Sequence, residues 1–140
     1  MFVILDTNHY RELVHETVAG LSLQKRIADS EADVFATVIT AQEVTQGWIA
    51  AINRKPAGRE QVEFYELFLR ALRALERVVI LPFDIEAADV FHGFPTSLRR
   101  IGTMDLKIAA IAKSHDALLL SRNLVDFQQV PELRAENWLD

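Results

Sequence analysis

The feature that most constrains this chain stands at its start, where Phe2-Val3-Ile4-Leu5 runs straight into Asp6-Thr7-Asn8. Four successive apolar residues, β-branched and aromatic among them, suit a strand covered on both faces, because a strand with one wet face would alternate. Asp6 then stands at the carboxyl end of that strand, the edge at which open α/β sheets bind ligands. The triplet also has a purely structural use. Asp, Thr and Asn are helix N-caps, and Tyr10 to Val18 can form the helix that follows. The functional reading of Asp6 therefore depends on other acids reaching the same place.

The rest of the chain alternates helical and strand patterns. His9 to about Ala19 reads as a helix with Leu13 and Val14 inward, ended by Gly20, and Leu21 to Ala28 as a second short helix. Positions 33–38 read as strand two. Positions 40–52 read as a helix carried by Val44, Trp48 and Ile52, and 54–58 as a basic turn. Positions 59–77 form the longest helical pattern, with Val62, Tyr65, Phe68, Leu69, Leu72 and Leu75 on one stripe and Phe64, Leu67 and Ala71 beside it. A stripe that wide suits a core face and part of a partner face, but for any single residue on it a simply well-buried helix is the expected reading. Strand three follows at 78–81, then a helix at 85–91 capped by Asp84, then an irregular segment framed by Gly93, Pro95 and Gly102 that carries Arg99 and Arg100. A helix at 103–113, strand four at 117–120, polar residues at 121–126 and an edge strand within 134–138 complete the pattern. Uniformly apolar strands alternating with helices predict an α/β fold, with a mostly parallel sheet flanked by helices. Right-handed crossovers then open all the strand carboxyl ends on one edge.

At 140 residues the chain suits a single domain, 1–140, and no repeat, low-complexity tract or linker divides it. The absence of cysteine excludes disulfides, thiolate zinc sites and a cysteine nucleophile, and fits a reducing, cytoplasmic compartment. No apolar run approaches the roughly 18 residues of a membrane span. Asp6 interrupts the apolar start and no basic region precedes it, so neither a membrane anchor nor a signal peptide is expected. A net charge of −5 argues against a simple electrostatic nucleic-acid binder, which should be basic. An acidic protein can still act on nucleic acid if divalent metals neutralise its carboxylates.

Several acids have the topology to share a site. Asp6 follows strand one, Glu43 lies in the first turn of the helix after strand two, and Asn123 and Asp126 follow strand four. Asp105 precedes strand four, so it joins them only if the segment from Phe94 to Gly102 carries the chain back to the carboxyl edge. Each has a structural alternative. Thr40-Ala41-Gln42-Glu43 reads as a capping box, Asp105 suits a helix dipole, and Asp126 suits a turn cap. Carboxylates held within a few ångströms raise one another's pKa or splay apart unless a cation sits between them. An all-oxygen set suits Mg²⁺ or Mn²⁺. Such an ion lowers the pKa of a bound water and orients it for attack on phosphorus, which fits a chain without a cysteine or a Gly-x-Ser-x-Gly elbow.

Leu5-Asp6-Thr7-Asn8, Thr40-Ala41-Gln42-Glu43-Val44, the run 105–112 (Asp-Leu-Lys-Ile-Ala-Ala-Ile-Ala) and the run 121–127 (Ser-Arg-Asn-Leu-Val-Asp-Phe) resemble PIN-domain ribonucleases. Among these the likeness is greatest to VapC-type toxins of type II toxin–antitoxin pairs, and 130–133 with 136–138 resemble that group's carboxyl end. The resemblance implies a PIN-like three-layer fold with strand order 3-2-1-4-5 and Mg²⁺- or Mn²⁺-dependent endonucleolytic cleavage of RNA. It also implies a cognate antitoxin and a homodimer. Asp6, Glu43 and Asp105 match the family's three acidic metal positions. At the fourth stands neutral Asn123, with Asp126 three residues on. That makes Asp6, Glu43, Asp105 and Asn123 the catalytic candidates, with Asp126 as an alternative metal ligand. Thr7, Asn8 and Ser121 would position ligands or substrate, and Arg99, Arg100, Lys107 and Arg122, near the same edge, would hold the RNA backbone. The four histidines lack the spacing of a His-Glu-x-x-His site; His9, close to Asp6, is the only one with a candidate role, and it is expected to be a solvated helix residue. Trp48 and Trp138 are candidates for stacking bases. Two other readings compete: a non-catalytic PIN-like protein- or RNA-binding module, and a phosphoacceptor receiver domain. The second lacks the acid pair after strand one and a Lys directly after a late strand.

Overall fold

In the computed structural model, which describes residues 1–140, β1 (Phe2–Leu5) takes the middle of a five-stranded sheet. Its neighbours are β2 (Asp33–Thr37) and β4 (Leu118–Leu120), with β3 (Val79–Leu81) and β5 (Ala135–Glu136) at the edges. Every pairing is parallel and the order is 3-2-1-4-5, as the resemblance implies. The uninterrupted apolar strands have a direct cause. Ile4 and Leu119 feed a core on one face, while Val3, Leu5, Leu118 and Leu120 feed a second core on the other. Each side chain so buried contributes about 1.5–3 kcal/mol, so neither face of β1 tolerates a polar residue.

Seven helices cover the two faces: α1 (Thr7–Val14), α2 (Val18–Ser30), α3 (Val38–Asn53), α4 (Val62–Leu75), α5 (Ile85–Gly93), α6 (Thr103–Ser114) and α7 (Leu124–Phe127). α6 is the most deeply covered, with 108–112 buried in succession. A short 3₁₀ turn, Thr96–Ile101, carries the chain from α5 back to the carboxyl edge, so that α6 starts there and its first turn presents Asp105. No helix is long and apolar enough to cross a membrane.

Three expectations need correction. Gly20 does not end a helix. The break falls earlier, where Glu16 takes a positive φ of 49° and Thr17 caps α2 by accepting from the Gly20 amide at 3.0 Å. Gly20 sits inside α2 because its missing Cβ lets α2 lie against the backbone of Glu12 in α1. The capping box at Thr40 and Glu43 does not form either. Thr37 is the cap of α3, accepting from Thr40 N at 3.2 Å, so the helix starts earlier than expected and Glu43 is free of capping duty. Finally, positions 59–77 are not one long helix. A 3₁₀ turn at Arg59–Gln61 precedes α4, and α3 is longer, at 16 residues against 14. Within α4 only Leu75 is fully buried; Val62, Tyr65, Leu69 and Leu72 form an exposed apolar stripe.

Candidate active site

Because all strands are parallel, the groups that follow β1, β2 and β4 emerge side by side. The amide of Asp6 donates to the carbonyl of Leu120 at 3.0 Å, tying the ends of β1 and β4. Asp6 caps α1, its Oδ1 accepting from His9 N at 2.8 Å. From α3, Glu43 accepts a hydrogen bond from the Thr7 hydroxyl at 2.7 Å. That hydroxyl has one proton and spends it on the carboxylate, so the Thr40 hydroxyl, 3.0 Å away, donates to Thr7. Two threonines thus hold Glu43 in place.

These elements enclose a hollow of 290 Å³ lined by Asp6, Thr7, Asn8, Arg11, Glu43, Asp105 and Asn123, with no hydrophobic residue among them. Asp6, Glu43, Asp105 and Asn123 are thereby brought to one place. Asp126 is not on the lining. It accepts a hydrogen bond from the Asn123 side chain at 2.8 Å and so stands behind that residue. Ser121 is fully buried, and its hydroxyl accepts from the Asn123 amide at 2.9 Å, which shapes the turn after β4.

The electrostatics mark Asp105 as the strained member. Its pKa is pushed up to about 6, first by burial, then by the charges of Glu43, Asp6 and Asp126, against a smaller opposing hydrogen bond from the Asn123 side chain. The carboxylates line the hollow without closing into a ready-made cage, since no three His, Asp or Glu side chains converge in ligating geometry. Like charges that face a gap behave this way. The donor chemistry still fits Mg²⁺ or Mn²⁺. Mg²⁺ keeps several waters and commonly takes only one or two protein carboxylates, so it does not require a closed cage.

The expected basic residues do not line the hollow. Arg99 and Arg100 lie on the 3₁₀ turn outside the lining, and Arg100 hydrogen-bonds the Gln129 side chain. Lys107 sits 5.9 Å from the Phe83 ring, and Arg122 pairs with Asp140 at 3.1 Å and Glu12 at 3.6 Å. The cation that does line the hollow is Arg11, which sequence reasoning missed; its signal was its place four residues after Thr7, one turn along α1. His9 was misjudged as solvated. It is fully buried, with Nδ1 3.2 Å from Asp6 Oδ1. Trp138 is also buried, with the Arg26 guanidinium 4.6 Å above its ring, which leaves no open face for a base.

A larger groove of 690 Å³ adjoins the hollow and shares Arg11 with it. It runs between α1, α3 and α4. Its apolar wall includes Val14, Trp48 and Leu67; Arg11, Arg70, Arg73 and Arg77 line it and no acid does.

Comparison with known proteins agrees with this architecture. A PIN domain family model matches residues 3–133. Ribonuclease VapC2 of Haemophilus influenzae is 34% identical over 87 residues, which cover 59% of this chain and 66% of that relative, slightly under two thirds of its length. Among solved structures, VapBC-1 from nontypeable Haemophilus influenzae aligns over 100% of both chains with a TM-score of 0.75 at 22% identity. DNA-bound VapBC from Salmonella typhimurium aligns over 99% of this chain and 98% of that one, with a TM-score of 0.70 at 21% identity. At those identities the structures speak for the fold, while the family model speaks for descent along nearly the whole length: the chain belongs to the PIN domain family.

Proposed function

We propose that this protein is a metal-dependent endoribonuclease that cleaves RNA phosphodiester bonds, and that it is the toxin of a type II toxin–antitoxin pair. The observation that carries the reading is the hollow itself, where Asp6, Glu43, Asp105 and Asn123 meet without any apolar neighbour and burden Asp105 with charge. Mg²⁺ or Mn²⁺ bound there would supply an activated water and neutralise charge at the phosphorus. Asp6, Glu43 and Asp105 would hold the ion. Asn123 completes the set as a neutral donor, and Asp126 acts through Asn123 by fixing its amide. Thr7 keeps Glu43 turned to the hollow. Asn8 and Arg11 line the approach, where an amide and a guanidinium orient a phosphate. The test is cleavage of RNA by the purified chain with Mg²⁺, with Mn²⁺ and with EDTA, run beside Asp6→Asn. Cleavage in both metals, none in EDTA and none by the variant is the expected result. Equal cleavage by Asp6→Asn would sink the site.

The VapC2 relative bears the name ribonuclease, and the two solved neighbours are VapBC assemblies. Both support the same reading for this chain. The antitoxin belongs with the groove beside the hollow. Four arginines over an apolar floor suit an amphipathic segment with an acidic face. Arg70→Glu and Arg73→Glu together are expected to weaken capture of the co-encoded partner at least ~10-fold, measured by surface plasmon resonance; unchanged affinity would put the partner elsewhere. The homodimer is part of the same proposal, and the exposed α4 stripe is apolar surface available to it.

A further inference from the structure

We infer that His9 is a positioning residue for Asp6, and that the segment at Trp138 fastens His9 in turn; this rests on the metal-dependent reading above. His9 is fully buried, and both its ring nitrogens have partners, on different elements. Nε2 lies 3.2 Å from the backbone nitrogen of Trp138, whose N–H can only donate. That puts the lone pair on Nε2 and the proton on Nδ1. Nδ1–H therefore donates to Asp6 Oδ1, at 3.2 Å. The same oxygen takes the His9 backbone N–H at 2.8 Å. Two donors on Oδ1 fix the plane of the carboxylate and leave Oδ2 as the oxygen for a cation. Helix capping explains the backbone bond. It does not explain a fully buried imidazole with a partner on each ring nitrogen.

The anchor on the far side is firm. Trp138 and Leu139 are buried, and Arg26 covers the indole ring. Arg122, next to Asn123, holds Asp140 at 3.1 Å. The 138–140 segment thus grips both the Asp6 side and the Asn123 side of the hollow. Hydrogen bonds to a ligating carboxylate set its orientation, and losing one lowers metal affinity by about 10–100-fold.

Two substitutions separate the halves of the relay. His9→Asn keeps an N–H where Nδ1 stood and loses the acceptor for Trp138. His9→Gln sets an amide oxygen where Nε2 stood and loses the donor to Asp6. Mn²⁺ alone, without RNA, is titrated calorimetrically into the full chain and each variant. His9→Asn is expected to bind close to the parent and His9→Gln about 10–100-fold more weakly, even where both lose similar stability. Amide hydrogen exchange at Trp138, measured without metal, is expected to quicken in His9→Asn and to stay near the parent in His9→Gln. Parent-like Mn²⁺ affinity in His9→Gln, or equal exchange at Trp138 in the two variants, overturns the inference. Absence of Mn²⁺ binding by the parent itself overturns the metal reading, and this inference with it.

Discussion

Asp105→Asn is expected to abolish RNA cleavage and, at the same time, to make the metal-free protein more stable. Asn is close to isosteric with Asp and keeps an acceptor oxygen at the same position. It lacks the charge that Glu43, Asp6 and Asp126 oppose. Cleavage should fall by on the order of 1,000-fold, equivalent to about 4 kcal/mol of transition-state stabilisation. Stability in EDTA at pH 7.5 should rise by about 1–2 kcal/mol, allowing for screening by water at a partly exposed group. The competing account of Asp105 as a favourable partner of the α6 dipole predicts the opposite sign, because removing a carboxylate from a helix N-terminus destabilises. Urea denaturation of the two proteins in EDTA therefore decides between a functional and a structural carboxylate without any activity assay. A variant less stable than the parent would return Asp105 to the structural role.

The same strain fixes a pH dependence. Asp105 ionises near its ordinary value, 3.8, when the chain is unfolded and at about 6 when it is folded. The folded state therefore holds its proton longer. The stability this gives is complete below the unfolded pKa and is lost as pH rises through about 6. The metal-free parent should weaken across that window, and Asp105→Asn should not. Mn²⁺ affinity should rise over the same range and level off above it, because the ion competes with the proton for one carboxylate.

Much of this was legible in the sequence because parallel topology is a strong constraint. Once Phe2–Leu5 and Leu118–Leu120 read as strands buried on both faces, Asp6 and Asn123 had to emerge on one edge. Asp105 followed only because the 3₁₀ turn at Thr96–Ile101 returns the chain, and nothing local in Gly93 to Gly102 dictates that. Glu43 lines the hollow although the account of its helix was wrong. A Ser/Thr-x-x-Glu pattern looks the same whether the first residue caps or, as with Thr40, lies buried inside α3 and donates to Thr7. Several of the other errors share one source. His9, Trp138, Arg11 and the α4 stripe are decided by what another element presses against, and periodicity along one helix carries no information about that. His9 and Trp138 lie 129 positions apart and meet only in the folded protein.

Gly20→Ala is expected to be the most damaging small substitution outside the hollow, and its sign runs against helix propensity. Within an exposed helix, Gly→Ala normally stabilises by about 0.5–1 kcal/mol. At Gly20 a Cβ would stand 1.8 Å from the Glu12 carbonyl oxygen and 2.6 Å from its carbon. Both are backbone atoms of α1 and cannot swing aside as a side-chain tip would. The two helices must separate, which should cost about 3 kcal/mol or more. The damage should reach the hollow, because α1 carries Thr7, Asn8 and Arg11 and is capped by Asp6. Gly47 in α3 is the control, since its nearest contact is the tip of Arg11 at 4.0 Å, and Gly47→Ala should stabilise. Thermal unfolding of the pair tests whether contact with α1, and not backbone freedom, selects glycine at position 20. Gly20 takes no positive φ, so conformational freedom offers no other account of it. If both alanine variants proved equally stable, α1 and α2 would not be in the contact described, and the placement of Thr7 and Arg11 at the hollow would lose its support.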